Sequence, residues 1–374
     1  MASVNTWALA QSRDAAERLA TARLDPETLG RELIAVTQRV IPFSGWCFAV
    51  ADPETLLVST AVAQNPAITA VTKLGRYFEL EYGDDVNRFR DLVGRRSPVG
   101  TLSLATDGDL RQSARWRELY EASGMGDELR AALVVDGRCW GYLELLRERD
   151  ERPFSAEEAM FVLRFAPQVA TSVRGALVAD LSRTQVREHG AHRGPGTVIL
   201  DQEFRPIAST PEADQWMALL RSTSDGNGIP VAVLQVAVRL RSLGRLRPLP
   251  GEEPRVRARA PTGDWITISA SRLTGSALSG ATAVTLEGSG SGVADLALEA
   301  YGLTAREREL AKLVLQGFSN LEIAKRLVLS PHTVGDHIKA ILEKVGAHSK
   351  RELIAGLLRG AIRQTADVGG SDRR

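Results

Sequence analysis

The residues best suited to chemistry lie near the C-terminal end, in the run SPHTVGDHIKAILEKV from Ser330 to Val345. At 3.6 residues per turn His332, Asp336, Lys339 and Glu343 share one helix face, with Thr333 and Gly335 on its flanks. Such a face can read base edges in a DNA groove. The Lys339 ammonium can donate to guanine O6 and N7, Asp336 can accept from cytosine N4, and the Thr333 methyl can meet that of thymine. Lys325, Lys339, Lys344 and Lys350 are candidates to hold backbone phosphates, together with the helix starts at Ser319, beside Asn320, and Ser330. His337 falls toward the buried flank and suits packing or a phosphate contact rather than base reading. Neither His332 nor His348 has a metal-ligand partner at suitable spacing. Gly335 costs a helix about 1 kcal/mol relative to alanine. Either it lets the backbone come close to DNA, or it is simply tolerated.

Four short helices must position these groups, and one chemical rule locates their starts. A hydroxyl side chain accepts a hydrogen bond from an orphan N–H of the first turn, and a glutamate three residues on reaches back. Thr304 with Glu307, Ser319 with Glu322 and Ser349 with Glu352 follow this pattern, while Ser330 precedes Pro331 at the first helical position. Gly317 and Gly346 fall just past two helix ends. The helix from Pro331 to Val345 should bury Val334, Ile338, Ile341 and Val345. The one from Ser319 to Leu327 should bury Leu321, Ile323, Ala324 and Leu327, with Val328 and Leu329 turning the chain between them.

The stretches LTARERE, NLEIAKRL, SPHTV and SKRELIAGLL, in this order and spacing, resemble the LuxR-type DNA-binding domain over about residues 303–360. The resemblance implies that the third helix enters the major groove of double-stranded DNA. It also implies that the fourth helps two copies dimerise, which points to Leu353, Ile354, Leu357 and Leu358. Many members carry a basic residue after Thr-Val, where this chain has Gly335 and Asp336, a departure that bears on the operator sequence rather than on the binding mode. Between Tyr301 and Gly360, ten Lys or Arg oppose six Asp or Glu. That local excess supplies the salt-dependent part of DNA affinity, because the whole chain is balanced at 47 basic against 46 acidic residues.

Ahead of this region, residues 25–41 read as an amphipathic helix opened by Asp25-Pro26, with Leu29, Leu33, Val36 and Val40 on one face. Apolar runs follow, broken at Asp52-Pro53, and a later pair split by Asp136-Gly137 forms a hairpin. A long helix starts at the Ser155–Glu158 capping box and runs toward Arg187, with Phe161, Phe165, Val169, Val173, Leu177 and Leu181 recurring every four residues across Pro167. This order, with GMGDELRAALVVDGRCWGYLELLRE and PFSAEEAMFVLRFAP, is similar to a GAF domain over about residues 20–185, which implies an enclosed face able to hold a small molecule. Trp46, Trp116, Trp140 and Tyr142 are expected in the core rather than lining a pocket. No histidine precedes His189, so a histidine-ligated haem is excluded there. Cys47 and Cys139 sit in apolar strands, where an inert small hydrophobe is the commoner case and a redox switch the alternative.

Residues 194–287 read as strand, turn at Asp201, strand, helix after Thr210-Pro211, and three later strands, an order similar to a PAS domain. Arg255, Arg257 and Arg259 alternate with small apolar residues and should form a solvated strand face. The tract GSGSG from Gly288 to Gly292 reads as a flexible linker over 288–300.

The fold class expected is α+β multidomain: a GAF-like antiparallel sheet with helices at 20–185, a PAS-like α+β domain at 194–287, and an all-α four-helix helix-turn-helix domain at 301–362. A chain of 374 residues exceeds what one core usually supports. The first twenty residues lack a basic start and a continuous apolar run, and no window is long enough to cross a bilayer, so the expected location is cytoplasmic and no membrane partner is expected. The reading is a homodimeric, DNA-binding transcription regulator that needs no catalysis, cofactor or metal. Its rivals are an adaptor that never contacts DNA and a small-molecule hydrolase with a DNA-binding domain attached. The hydrolase lacks a GxSxG elbow, a P-loop and an HExxH motif.

Overall fold

Asp25 opens the first helix as expected. In the computed structural model its carboxylate accepts from the backbone N–H groups of Glu27 and Thr28, starting α1 (Pro26–Gln38), which buries Leu29, Leu33 and Val36. The structure describes residues 18–19, 24–68, 71–183, 194–220, 228–244, 253–275 and 280–359. Among them no helix is long and apolar enough to cross a membrane.

The first sheet holds β1 (Gly45–Ala51), β2 (Val58–Gln64), β3 (Val99–Thr101), β4 (Met125–Val135) and β5 (Arg138–Glu148), in the antiparallel order β2-β1-β5-β4-β3. Asp136 and Gly137 take positive φ of 51° and 70°, as a two-residue hairpin turn demands. Between β2 and β4 lie α2 (Val71–Tyr82), α3 (Phe89–Val93) and the single turn α4 (Leu102–Ala105). After β5, Ser155 and Glu158 exchange the reciprocal bonds of a capping box and open α5 (Ala156–Arg183). Phe165, Val169, Val173 and Leu177 are buried along α5; the side chain of Leu181 and the helix end expected near Arg187 lie outside the described part.

The second sheet holds β6 (Gly196–Leu200), β7 (Pro206–Ser209), β8 (Arg255–Arg259), β9 (Trp265–Arg272) and β10 (Thr282–Gly288), in the order β7-β6-β10-β9-β8. Counted from its own first strand, this is the order of the first sheet. Helix α6 (Pro211–Leu220) packs so closely on β6 that a Cβ at Gly196 would lie 2.2 Å from the Ala213 nitrogen. A helix that periodicity had not indicated, α7 (Val231–Ser242), is buried from Ala232 through Arg239. It packs on β9 of its own sheet and on α2 and β2 of the other.

The two sheets therefore share a core and cluster as one compact unit, made of the described residues up to 176 and between 194 and 289. Arginine and carboxylate pairs cross between them, which corrects the expectation of a solvated arginine face on β8. Arg257 is 1% exposed and grips Asp52, while Arg255 pairs with Glu54. The alternation was right about which residues share a face, but another element covers it.

The second unit comprises 177–183 and 290–359 among the described residues. It contains α8 (Gly290–Ala300), α9 (Ala305–Leu315), α10 (Asn320–Leu327), α11 (Pro331–Val345) and α12 (Lys350–Arg359). The flexible linker expected over 288–300 is thus corrected to the end of β10 and a helix. Leu296, Ala297, Leu298 and Ala300 are buried, and α8 packs on α9 and α12, so apolar burial outweighs the helix-weakening glycines.

Candidate nucleic-acid interface

Two capped helix starts frame the site. Ser319 accepts from the Glu322 N–H, and the Glu322 carboxylate accepts from the Ser319 N–H at 2.8 Å, fixing the start of α10. Ser330 accepts from the Thr333 N–H at 3.0 Å, and Pro331 supplies the first helical residue of α11. Between them Val328 adopts a left-handed conformation at φ 54° and ψ 49°, and the Leu329 N–H donates to the Ala324 carbonyl at 2.9 Å. Ile323 and Ala324 are buried where α10 packs on α11, whose Val334 and Ile338 are buried as well. Arg306, on α9, donates to the Leu327 carbonyl at 2.9 Å and so holds the end of α10. Nothing in the AREREL run distinguished Arg306 for that role.

Leu321 was expected in this core, and that is corrected: it is 55% exposed. Two residues before Ile323 it stands about 200° round the helix, nearly opposite the buried side.

The outward face of α11 carries His332, Asp336, Lys339 and Glu343, all exposed, with Thr333, Gly335 and His337 half-buried beside them. His332 Nδ1 lies 3.0 Å from Asp336 Oδ2, one turn apart, so the carboxylate already has a neighbour on its own helix. A Cβ at Gly335 would meet no atom within 4 Å, so no packing inside the chain calls for glycine there.

The candidate phosphate ligands divide. Lys325 and Lys339 are exposed, whereas Lys344 is committed to Glu307 at 2.7 and 2.9 Å, tying α11 to the capping box of α9. Burial pushes the Glu307 carboxyl up, but Lys344 and the Thr304 hydrogen bonds outweigh it and hold it below its ordinary value. Lys350 is half-buried and donates to the Asn320 side-chain oxygen, and burial lowers its pKa.

On α12, Ser349 accepts from the Glu352 N–H at 3.1 Å, while the Glu352 carboxylate reaches the His348 N–H at 2.8 Å, one residue earlier than expected. Leu353, expected on a dimerisation face, is corrected to a core position: it is 0% exposed where α12 packs on α8, α9 and α11. Ile354 is half-buried, and the side chains of Leu357 and Leu358, like residues 360–362, lie outside the described part.

Two short, capped helices joined through a left-handed turn, the second presenting a polar face, make this a helix-turn-helix protein. The family model for bacterial regulatory proteins of the luxR family matches residues 302–356, and that for the GAF domain matches 52–173. The spore germination protein GerE of Bacillus subtilis is 39% identical over 57 residues, which cover 15% of this chain and 77% of GerE. The tetrathionate response regulatory protein TtrR of Salmonella typhimurium is 48% identical over 52 residues, 14% of this chain and 25% of TtrR. A Mycobacterium tuberculosis protein described as an HTH-type transcriptional regulator is 44% identical over 52 residues, 14% of this chain. This chain spans 6% of the length of that mycobacterial relative. The chain belongs to the luxR family of bacterial regulatory proteins and carries a GAF domain, as expected from its motifs.

Proposed function

We propose that the chain is a DNA-binding transcription regulator that acts as a homodimer, with α11 lying in the major groove and the two-sheet unit gating it through a small molecule. The observation that carries this is the outward face of α11. His332, Asp336 and Lys339 are exposed, with Thr333 half-buried among them, beside the capped starts of α10 and α11, whose N–H groups suit phosphates. Lys339 reads bases, Asp336 contributes once turned from His332, and Lys325 and the two helix starts fix register on the backbone. Two copies would read half-sites about one helical turn apart. Ile354, Leu357 and Leu358 remain as contacts between the copies. The second sheet we read as PAS-like, since its strand order repeats that of the GAF sheet.

Alanine substitutions separate these roles. Lys325→Ala should weaken operator and scrambled DNA alike and reduce the salt slope by about one, whereas Lys339→Ala should cost about 1–3 kcal/mol on operator alone. Unchanged operator affinity in Lys339→Ala would remove α11 from base reading.

A further inference from the structure

Within the two-sheet unit lies a cavity of about 410 Å3, large enough for a small organic molecule. Its floor is one face of the GAF sheet, laid out by strand register. Ala63, Cys47 and Glu144 stand side by side across β2, β1 and β5, and Ala61, Ala49 and Tyr142 form the next row. Four of these six side chains are alanine or cysteine, and that small volume is what leaves the space open. Leu74 and Phe78 of α2 make one wall, and Phe89 stacks on Tyr142 at 4.3 Å to make another. The roof comes from the other sheet: Val231, Gln235 and Arg239 recur every four residues along α7 and all face the cavity. Gln235 Oε1 also accepts from the Val58 N–H at the start of β2, so the roof is fastened to the GAF strand it covers.

The charged groups around this space, Glu81, Glu144, Arg90 and Arg239, each have a neighbour already. Glu81 accepts from the Phe89 N–H and lies 2.8 Å from Arg130 Nη1. Glu144 accepts from the Tyr77 hydroxyl at 2.9 Å, and burial together with the adjacent Glu128 pushes its carboxyl up toward the neutral form. The Arg239 guanidinium lies over the Tyr82 ring at 5.2 Å. Two neutral polar groups are left over. The buried hydroxyls of Thr55 and Tyr82, both lining the cavity, complete no hydrogen bond, although Gln235 stands beside Tyr82. An orphaned buried hydroxyl costs free energy that a ligand atom can recover, while a charged ligand would lose its hydration and compete for charges that already have neighbours.

We infer that this cavity binds an uncharged, mainly apolar, ring-containing molecule bearing a hydroxyl or carbonyl, and that the bound molecule bridges the GAF sheet and α7. The inference rests on the reading of the two-sheet unit as the sensor and names what it senses. Its polar group bonds Thr55 and Tyr82, its rings lie over the alanine floor, and its contacts are divided between both sheets.

The test uses the full-length protein, titrated with uncharged phenylnaphthylamine and with its anionic relative anilinonaphthalene sulfonate. The uncharged probe is expected to saturate at one per chain and the anion to bind at least about tenfold more weakly. Ala61→Phe, from the floor, and Val231→Phe, from the roof, should each weaken the uncharged probe at least about tenfold by filling the space. Should either fail to fold, Thr55→Val keeps the shape, and it should reduce the preference for naphthol over naphthalene as competitor at least about threefold, with Tyr82 still offering one bond. Anionic binding as tight as neutral, folded filling variants that bind like the original, or an undiminished naphthol preference in Thr55→Val would each overturn the inference. DNA affinity is read on the same samples. Intact DNA binding without probe binding overturns the cavity assignment alone, whereas saturable probe binding that never alters DNA affinity supports the assignment and removes the gating role.

Discussion

Asp52 and Arg257, 205 residues apart, form a two-pronged ion pair in the shared core of the two sheets. Arg257 Nη2 reaches Asp52 Oδ1 at 2.6 Å and Nε reaches Oδ2 at 2.8 Å, while the Arg257 backbone N–H donates to Oδ2 at 3.0 Å. Three hydrogen bonds on one buried carboxylate fix β8 against the turn that follows β1. Burial alone would raise the Asp52 pKa, but the hydrogen bonds and charge of Arg257 outweigh it and hold the carboxyl below its ordinary 3.8. Because the folded value lies below the unfolded one, the contribution is present above about pH 4 and fades as pH falls through the folded value. Asp52→Ala should cost about 3 kcal/mol at neutral pH, because it removes the two-pronged partner of the buried Arg257 and leaves it Glu54 at 3.2 Å, and it should flatten the acid limb of the stability profile. Urea unfolding at several pH values checks both.

Glu128 and Glu144, neighbours in the same core, should respond oppositely to neutralisation. Glu128 holds Arg115 at 2.5 Å and has Arg130 beside it, whereas Glu144 is pushed up by burial and by the charge of Glu128. Glu144→Gln mimics the protonated acid and should stay within about 1 kcal/mol of the original, while Glu128→Gln takes a charged hydrogen-bond partner from Arg115, which keeps Asp85, and from beside Arg130, which keeps Glu81, and should cost about 1.5–3 kcal/mol. A raised folded pKa means that the Glu144 contribution is full below the unfolded value and is lost as pH rises through the folded one. Glu144→Gln should therefore remove the alkaline decline, as thermal unfolding across neutral to mildly alkaline pH would show.

Val328 is a β-branched residue held in left-handed backbone with its side chain 90% exposed, so it gains little from packing. That conformation costs an L-residue roughly 1–2 kcal/mol. Val328→Gly should relieve it for a net gain of about 1 kcal/mol or less, since glycine loses more freedom on folding. Slower amide exchange in α10 and α11 of the full-length protein is the expected sign, and faster exchange would mean that the turn is not strained.

Lys344 should behave as a structural residue. Its ammonium is bound to Glu307, so Lys344→Ala should leave the salt slope of DNA affinity unchanged, in contrast to Lys325→Ala. The stability cost should stay under about 1 kcal/mol, because Lys344 is more than a third exposed and water screens the pair. A slope reduced as far as in Lys325→Ala would return Lys344 to the DNA contacts.

What could be read from residues alone was whatever local chemistry dictates. The caps at Thr304, Ser319 and Ser330, the turn at Asp136-Gly137 and the α11 core stripe follow from hydrogen bonding and periodicity within a few residues. Long-range cover was hidden. Helix α7 is surrounded by other elements, so its VAVLQVAVRLRS run has no polar face and carries no helical period. For the same reason the covered face of Arg257 looked solvated, and the buried Leu353 looked available to a second copy. The cavity was hidden likewise, since its roof is α7 and its floor of three alanines, Cys47, Tyr142 and Glu144 is brought together only by strand register.

The most direct test is a binding titration of the full-length protein on its own upstream DNA against a scrambled duplex, at two salt concentrations. The expected result is tighter binding to the upstream DNA, with affinity falling steeply as salt rises. Equal weak binding to both duplexes by the full chain, repeated at low salt by the isolated segment from Gly290 onward once its helical fold has been verified, would contradict the assignment of α11 to DNA.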